Sequence, residues 1–157
     1  MKTIKLAIIW FFIVLAGCVT PTGPTLTPLE IQSLQTREYE HKKDVVFPSV
    51  ISVFQDLGYT IKSADKATGF ITAESAAKSD FASKFWLGVS NVSQTSATAF
   101  IEEIGKITKV RLNFVTSSKK SSAYGQSDRD DTPILDAEIY KNAFERVESA
   151  IFLRSPN

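Results

Sequence analysis

The chain has 157 residues, 43% of them hydrophobic and 22% charged, and its 18 Lys and Arg against 17 Asp and Glu give a formal net charge of +1. That length suits one domain with a real core but not two, and so balanced a charge supplies no basic field to gather nucleic acid. A single cysteine rules out an internal disulfide framework, so stability must come from burying aromatic and aliphatic side chains.

The chain begins with Lys2 and Lys5, followed by an apolar run from Leu6 to Ala16. This is the charged-then-apolar order of a secretory leader, and it is too short to span a bilayer, which needs roughly 20 apolar residues. Leu15-Ala16-Gly17-Cys18 closes the run. The stretch resembles the lipobox of bacterial lipoproteins. The resemblance implies cleavage before Cys18, diacylation of its thiol and acylation of the new amino terminus. Several acyl chains hold a protein to a membrane stably where one does so only marginally. An aspartate after the cysteine often retains such proteins in the inner membrane. Here Val19 stands in that place, so the resemblance implies the outer membrane and a periplasmic face. An ordinary leader, with Cys18 a spare thiol, is the competing reading. Loss of Lys2 and Lys5 with residues 1–17 takes the formal charge from +1 to −1.

Residues 18–30 are expected to form the acylated Cys18 and a Pro/Thr-rich tether, with Pro21, Pro24 and Pro28 interrupting helix and ladder alike. One α+β domain should occupy residues 31–157. Ile31 to Tyr39 reads as a first strand. A helix capped by Asp44 should run to about Leu57, with Phe47, Val50, Ile51, Phe54 and Leu57 on its apolar face and Gly58 just past its end. Pro48 falls in or just after its first turn. Tyr59–Ala64 and Phe70–Glu74 alternate as strands about a turn at Asp65–Gly69. Ala76–Asn91 contains a weak helical pattern, with Phe81, Phe85, Trp86 and Val89 on one face and Gly88 against it.

A second hairpin joins Ser96–Ile104 to Ile107–Ser117 across Gly105-Lys106. Thr108, Val110, Leu112 and Phe114 alternate with Lys109, Arg111 and Asn113, as in a sheet with one wet face. Ser117–Asp131 reads as a polar loop. A long helix is expected from Thr132-Pro133 to about Leu153, its inner face Leu135, Ile139, Ala143, Phe144, Val147 and Ile151. The pattern predicts an α+β layer fold, an antiparallel sheet of about five strands with two amphipathic helices on one face.

Phe54-Gln55-Asp56-Leu57-Gly58-Tyr59, then Gly69-Phe70-Ile71-Thr72-Ala73, resemble a pattern of bacterial lipoproteins. Gln35–Tyr39, Ile139–Phe144 and Ile151–Leu153 fit the same pattern. It is similar to the repeated domain in the C lipoprotein subunit of the outer-membrane β-barrel assembly machinery. The resemblance implies a helix-grip fold and a role in assembling envelope components. It covers about a third of the residues after Cys18, mostly core and turn positions, and it leaves Ala76–Asn91 unmatched.

No catalytic set emerges. The one histidine, His41, sits beside Lys42 and Lys43 with no nucleophile pattern. Adjacent Glu102 and Glu103 in a strand point to opposite faces. Asp128, Asp130 and Asp131 lack the glycine and glutamate of a calcium loop and are offset by Arg129. No metal or cofactor is expected. Phe81, Phe85, Trp86 and Val89 are the candidate contact with a partner or the membrane interface, with core packing as the alternative. A groove between the long helix and the sheet could hold an apolar ligand or be filled by phenylalanines. The expected partners are the membrane, through lipid on Cys18, and an envelope protein complex. The expected function is a non-enzymatic accessory or scaffold subunit, with a lipid or small-molecule binder second.

Cys18→Ser should abolish acylation and release or mis-sort the protein. Metabolic labelling with palmitate tests this, and persistent label in the variant would overturn the anchor assignment.

Overall fold

Two fifteen-residue strands, Ser90–Ile104 and Ile107–Ser121, run antiparallel in unbroken register from Ile104↔Ile107 at the turn to Ser90↔Ser121. The computed structural model describes residues 26–79, 90–121 and 127–155. Around that pair the elements are α1 (Pro28–Gln35), β1 (Thr36–Tyr39), α2 (Lys43–Asp56), β2 (Tyr59–Asp65), β3 (Phe70–Ser75), β4 (Lys78–Ser79), β5 (Ser90–Ile104), β6 (Ile107–Ser121), β7 (Ser127–Pro133) and α3 (Ala137–Arg154). One antiparallel sheet runs β1-β6-β5-β3-β2, with β4 also on β5 and β7 also on β6. The expected α+β architecture is present. Among the described residues its strands number six of four residues or more plus the two-residue β4, and its helices three.

Register decides which side chains meet the helices. Ala73↔Ala97↔Phe114 and Ile71↔Ala99↔Leu112 align across β3, β5 and β6, with Ile101↔Val110 beside them. All of these are buried, because successive residues of a strand face opposite ways. Small alanines on β3 and β5 leave room above them for a cluster of rings. Phe114 lies 6.2 Å from Phe54 of α2, 5.3 Å from Tyr140 of α3 and 6.1 Å from Tyr59, in tilted and edge-on geometries. Thr108, Val110, Leu112 and Phe114 form the buried phase of β6, as their alternation predicts.

The helix α2 follows the expected span but not the expected cap. Asp44 lies in its first turn, and Lys42 holds the N-cap position without a side-chain hydrogen bond. Glu103 supplies the acceptor instead, taking the Lys43 N–H at 2.8 Å from across the β5–β6 hairpin. A carboxylate from a distant part of the chain thus satisfies an orphan donor and favours the helix dipole. At the other end Gly58, at φ +84°, donates its N–H to the Gln55 carbonyl at 2.9 Å.

Three expectations are corrected. Only Thr36–Tyr39 of the first predicted strand is extended, since Pro28–Gln35 is helical. Thr27-Pro28-Leu29-Glu30 is a capping box: the Thr27 side chain accepts the Glu30 N–H, Glu30 accepts the Thr27 N–H, and Pro28 takes the first turn where no donor is needed. The polar stretch read as a loop contributes β7, paired with β6 from Val115↔Pro133 to Ser121↔Ser127. Its stability comes from ladder hydrogen bonds rather than burial, so no apolar alternation announces it. Pro133 therefore ends a strand, and the last helix starts at Ala137, where the Asp136 side chain caps the Glu138 N–H at 2.8 Å. Leu135 precedes the helix, Ile139 is 42% exposed, and Tyr140 takes the core position.

Gly69 closes the β2–β3 turn at φ +83°, and its carbonyl accepts the Ile101 N–H at 2.9 Å. A β-carbon there would run into the Ile101 carbonyl, whereas one at Gly58 meets open space. Gly58→Ala should therefore cost about 1–2 kcal/mol of left-handed strain, and Gly69→Ala should cost more, by roughly 1–3 kcal/mol. Urea denaturation of the two variants tests the ranking, and equal losses would contradict it.

Candidate functional site

On its outer edge β6 is covered by β1 from Thr108 to Arg111 and by β7 from Val115 onward. Between them lies a gap with no edge strand among the described residues, and side chains fill it. The Phe114 N–H donates to the Tyr140 hydroxyl oxygen at 3.3 Å, and the Phe114 carbonyl accepts the Ile134 N–H at 2.9 Å. Gln35, at the end of α1 and only 4% exposed, donates through Nε2 to Asn113 Oδ1 at 3.3 Å and to Tyr140 Oη at 3.4 Å. Its Oε1 accepts from Arg111 Nη2 at 3.1 Å. Arginine can only donate, so this contact fixes which way the Gln35 amide points. A continuous hydrogen-bond chain therefore crosses the sheet from Arg111, on the face turned away from α2 and α3, to Tyr140 in the core.

The face turned away from α2 and α3 is not uniformly polar. Phe70 and Phe100 stand opposite one another on β3 and β5, with ring centroids 4.8 Å apart. Phe70 is 54% exposed. Arg111 is the next cross-strand neighbour of Phe100. Ile31 of α1 and Leu135 rise beside them, and the open cleft between has a volume of about 540 Å³.

The groove expected between helices and sheet is filled. Phe47, Phe54 and Phe144 are all buried, and what remains is an opening of about 390 Å³ at the margin, near Leu57, Tyr59 and Ile139. Burial pushes the pKa of the Tyr39 hydroxyl upward, and that hydroxyl donates to the Phe144 carbonyl at 3.4 Å. A separate apolar pair, Phe152 and Leu153, is 75% and 81% exposed at the end of α3.

Of the residues singled out in the sequence, Cys18, Phe81, Phe85, Trp86 and Val89 lie outside the described residues. His41 is half-buried, and its carbonyl accepts the Thr108 hydroxyl. Glu103 caps α2, while Glu102 lies in register with Lys109, in line with the alternation of a strand. Asp131 is paired with Arg129 at 3.0 Å, and its pKa is lowered first by the Ser117 hydroxyl and then by Arg129. Among the described residues no group of three His, Cys, Asp or Glu is placed to hold a metal ion, and no helix is long and apolar enough to cross a membrane.

Sequence reasoning passed over Phe70, Phe100, Arg111, Gln35 and Tyr140. The signal for the first two is phase: each aromatic sits one residue before a buried one, Ile71 and Ile101, and so on the face away from the helices. No protein-family model matches the chain, and no curated protein matches it.

Tyr140→Phe removes the acceptor for the Phe114 N–H and for Gln35. The variant should lose about 1–3 kcal/mol of stability, the cost of stranding buried donors. Chemical denaturation measures it; a change below about 0.5 kcal/mol would show that the network contributes nothing beyond packing.

Proposed function

We propose that the chain is a membrane-anchored, periplasm-facing lipoprotein that acts as an accessory or scaffold subunit in the assembly or maintenance of the cell envelope. The observation that carries this reading is Leu15-Ala16-Gly17-Cys18, behind Lys2, Lys5 and an apolar run. Acylated there, the protein is held at the bilayer by its own lipid, and Val19 favours the outer membrane. The spacer from Cys18 to Thr27 reaches roughly 30 Å when stretched, so the domain stays near the surface.

Three further points support the reading. A helix-grip arrangement, the finer form of the fold in this proposal, accords with α3 burying Tyr140, Ala143, Phe144, Val147 and Ile151 over the sheet. The filled helix–sheet groove favours a body that presents surfaces over one that carries cargo between those layers. Phe81, Phe85, Trp86 and Val89 are the proposed contacts with the partner or with lipid, and the reading assigns no residue a catalytic role. A lipid or small-molecule binder is the second reading. What favours it is the cleft on the face turned away from α2 and α3, rather than the groove between the layers.

The lipidated full chain, purified from its native envelope in mild detergent, should give a native mass spectrum with a stoichiometric protein companion. Trp86→Ala should remove that companion while leaving thermal unfolding unchanged. A spectrum holding a small molecule and no companion would discard the accessory role for the binder.

A further inference from the structure

We infer that the face of the sheet turned away from α2 and α3 binds a single-chain carboxylate of the fatty-acid class, its carboxylate on Arg111 and its chain along Phe100 and Phe70. The inference stands apart from the accessory role, since it concerns a ligand of the isolated protein.

Placement of charge comes first. Arg111 spends one donor, Nη2, on the neutral amide of Gln35, and has no carboxylate within salt-bridge distance among the described residues. Its cross-strand neighbours are Thr36 and Phe100, both uncharged. The nearby Lys109 is different, standing between Glu38 and Glu102 in register. The face thus offers one guanidinium without an acidic partner across from it, already oriented by a buried side chain. Planar forked donors of this kind match a carboxylate in two parallel hydrogen bonds.

The apolar part lies beside it. From Arg111 through Phe100 to Phe70 is two strand spacings, roughly 10 Å, a strip an acyl chain can follow. Ile31 and Leu135 wall the cleft, and its volume of about 540 Å³ falls in the range of small-ligand sites. One cation at the end of one apolar strip selects a monoanion with a tail.

A peptide fits less well. The backbone of β3, β5 and β6 beneath the rings is already committed to ladder hydrogen bonds, through Phe70↔Phe100 and Phe100↔Arg111. Amides laid across Phe70 and Phe100 would lose water and find no partners, and burying them so is unfavourable. An acyl chain carries no such groups.

The test uses the full chain as Cys18→Ser, so that no acyl group of its own competes, and dodecanoate carrying carbon-13 at the carboxyl. Saturable binding is expected, with the carboxyl titrating below its free value and with shifts at the amides of Phe70, Phe100 and Arg111. Arg111→Gln should weaken binding at least tenfold. Phe70→Ser, which gives up the ring pair with Phe100 but leaves the buried core intact, should weaken it several-fold. Dodecyltrimethylammonium, of equal length and opposite charge, should bind at least tenfold more weakly than dodecanoate. The inference is overturned if dodecanoate does not saturate, if the cation binds as well, or if the shifted amides cluster around Leu57 and Tyr59 instead. If Arg111→Gln does not fold, Phe70→Ser and the charge-reversed amphiphile decide the matter alone. Saturable binding would give the binder reading its ligand, and its absence would leave the accessory role as it stands, because no partner enters the measurement.

Discussion

The Phe114 amide lies where the sheet has no edge strand, and the phenol oxygen of Tyr140 accepts its hydrogen bond. Much else follows from that substitution of a side chain for a strand. An unpaired amide beside a hydrophobic core is costly, so the gap between β1 and β7 must be filled by polar groups in fixed positions. Tyr140 comes from α3 and Gln35 from α1, so both helices are pinned to β6 by hydrogen bonds as well as by packing. The ring of Tyr140 also closes the aromatic cluster on Phe114. One residue thereby joins the sheet, the core and the polar plug.

The two faces of the sheet solve different problems with the same alternation. Toward the helices, Ala73, Ala97 and Ala99 are small, and the bulk comes from Phe54, Tyr140 and Phe144 above them. On the opposite face the large side chains belong to the strands themselves, with Phe70 beside Ile71 and Phe100 between Ala99 and Ile101. A ring pair on the solvent side adds packing between β3 and β5 where Ala99, between Ile71 and Leu112, adds little. The same pair leaves apolar surface in water, and Arg111 stands at its edge. Stability of the sheet and chemistry of its open face are therefore built from the same two side chains.

Much of this fold was legible in the sequence. The two hairpins, the span of α2 and the buried phase of β6 follow from period-two and helical alternation with glycines at the turns. The elements that escaped are those whose stability comes from elsewhere. The signal for α1 is polar, the Thr27/Glu30 box, hidden among threonines and prolines that suit a spacer. Nothing in β7 is apolar, and it exists because β6 extends beyond β1 and offers a free edge. The start of α3 moved because Pro133 suits both the first turn of a helix and the end of an edge strand, and pairing with Val115 decides between them. The cleft was less legible still. Arg111 reads as an ordinary outward residue of an alternating strand, and its significance depends on Gln35, distant in sequence and contributed by an element the pattern did not reveal.

The position of α1 connects the two ends of the functional question. Its first turn directly follows the spacer behind Cys18, and its last residue, Gln35, orients Arg111 while Ile31 walls the cleft. In the proposed reading, in which Cys18 is acylated, the first helix of the described residues is also the one that shapes the open face. Force or reorientation passed along the spacer would act first on α1, and through Gln35 on both Arg111 and Tyr140. An eight-residue helix has little stability by itself. What holds it is the capping box at one end and the buried amide at the other. The cleft is thus tied to a short element fixed at its two ends, and displacing Gln35 would at once release the guanidinium of Arg111 and remove one of the two donors held by the Tyr140 hydroxyl.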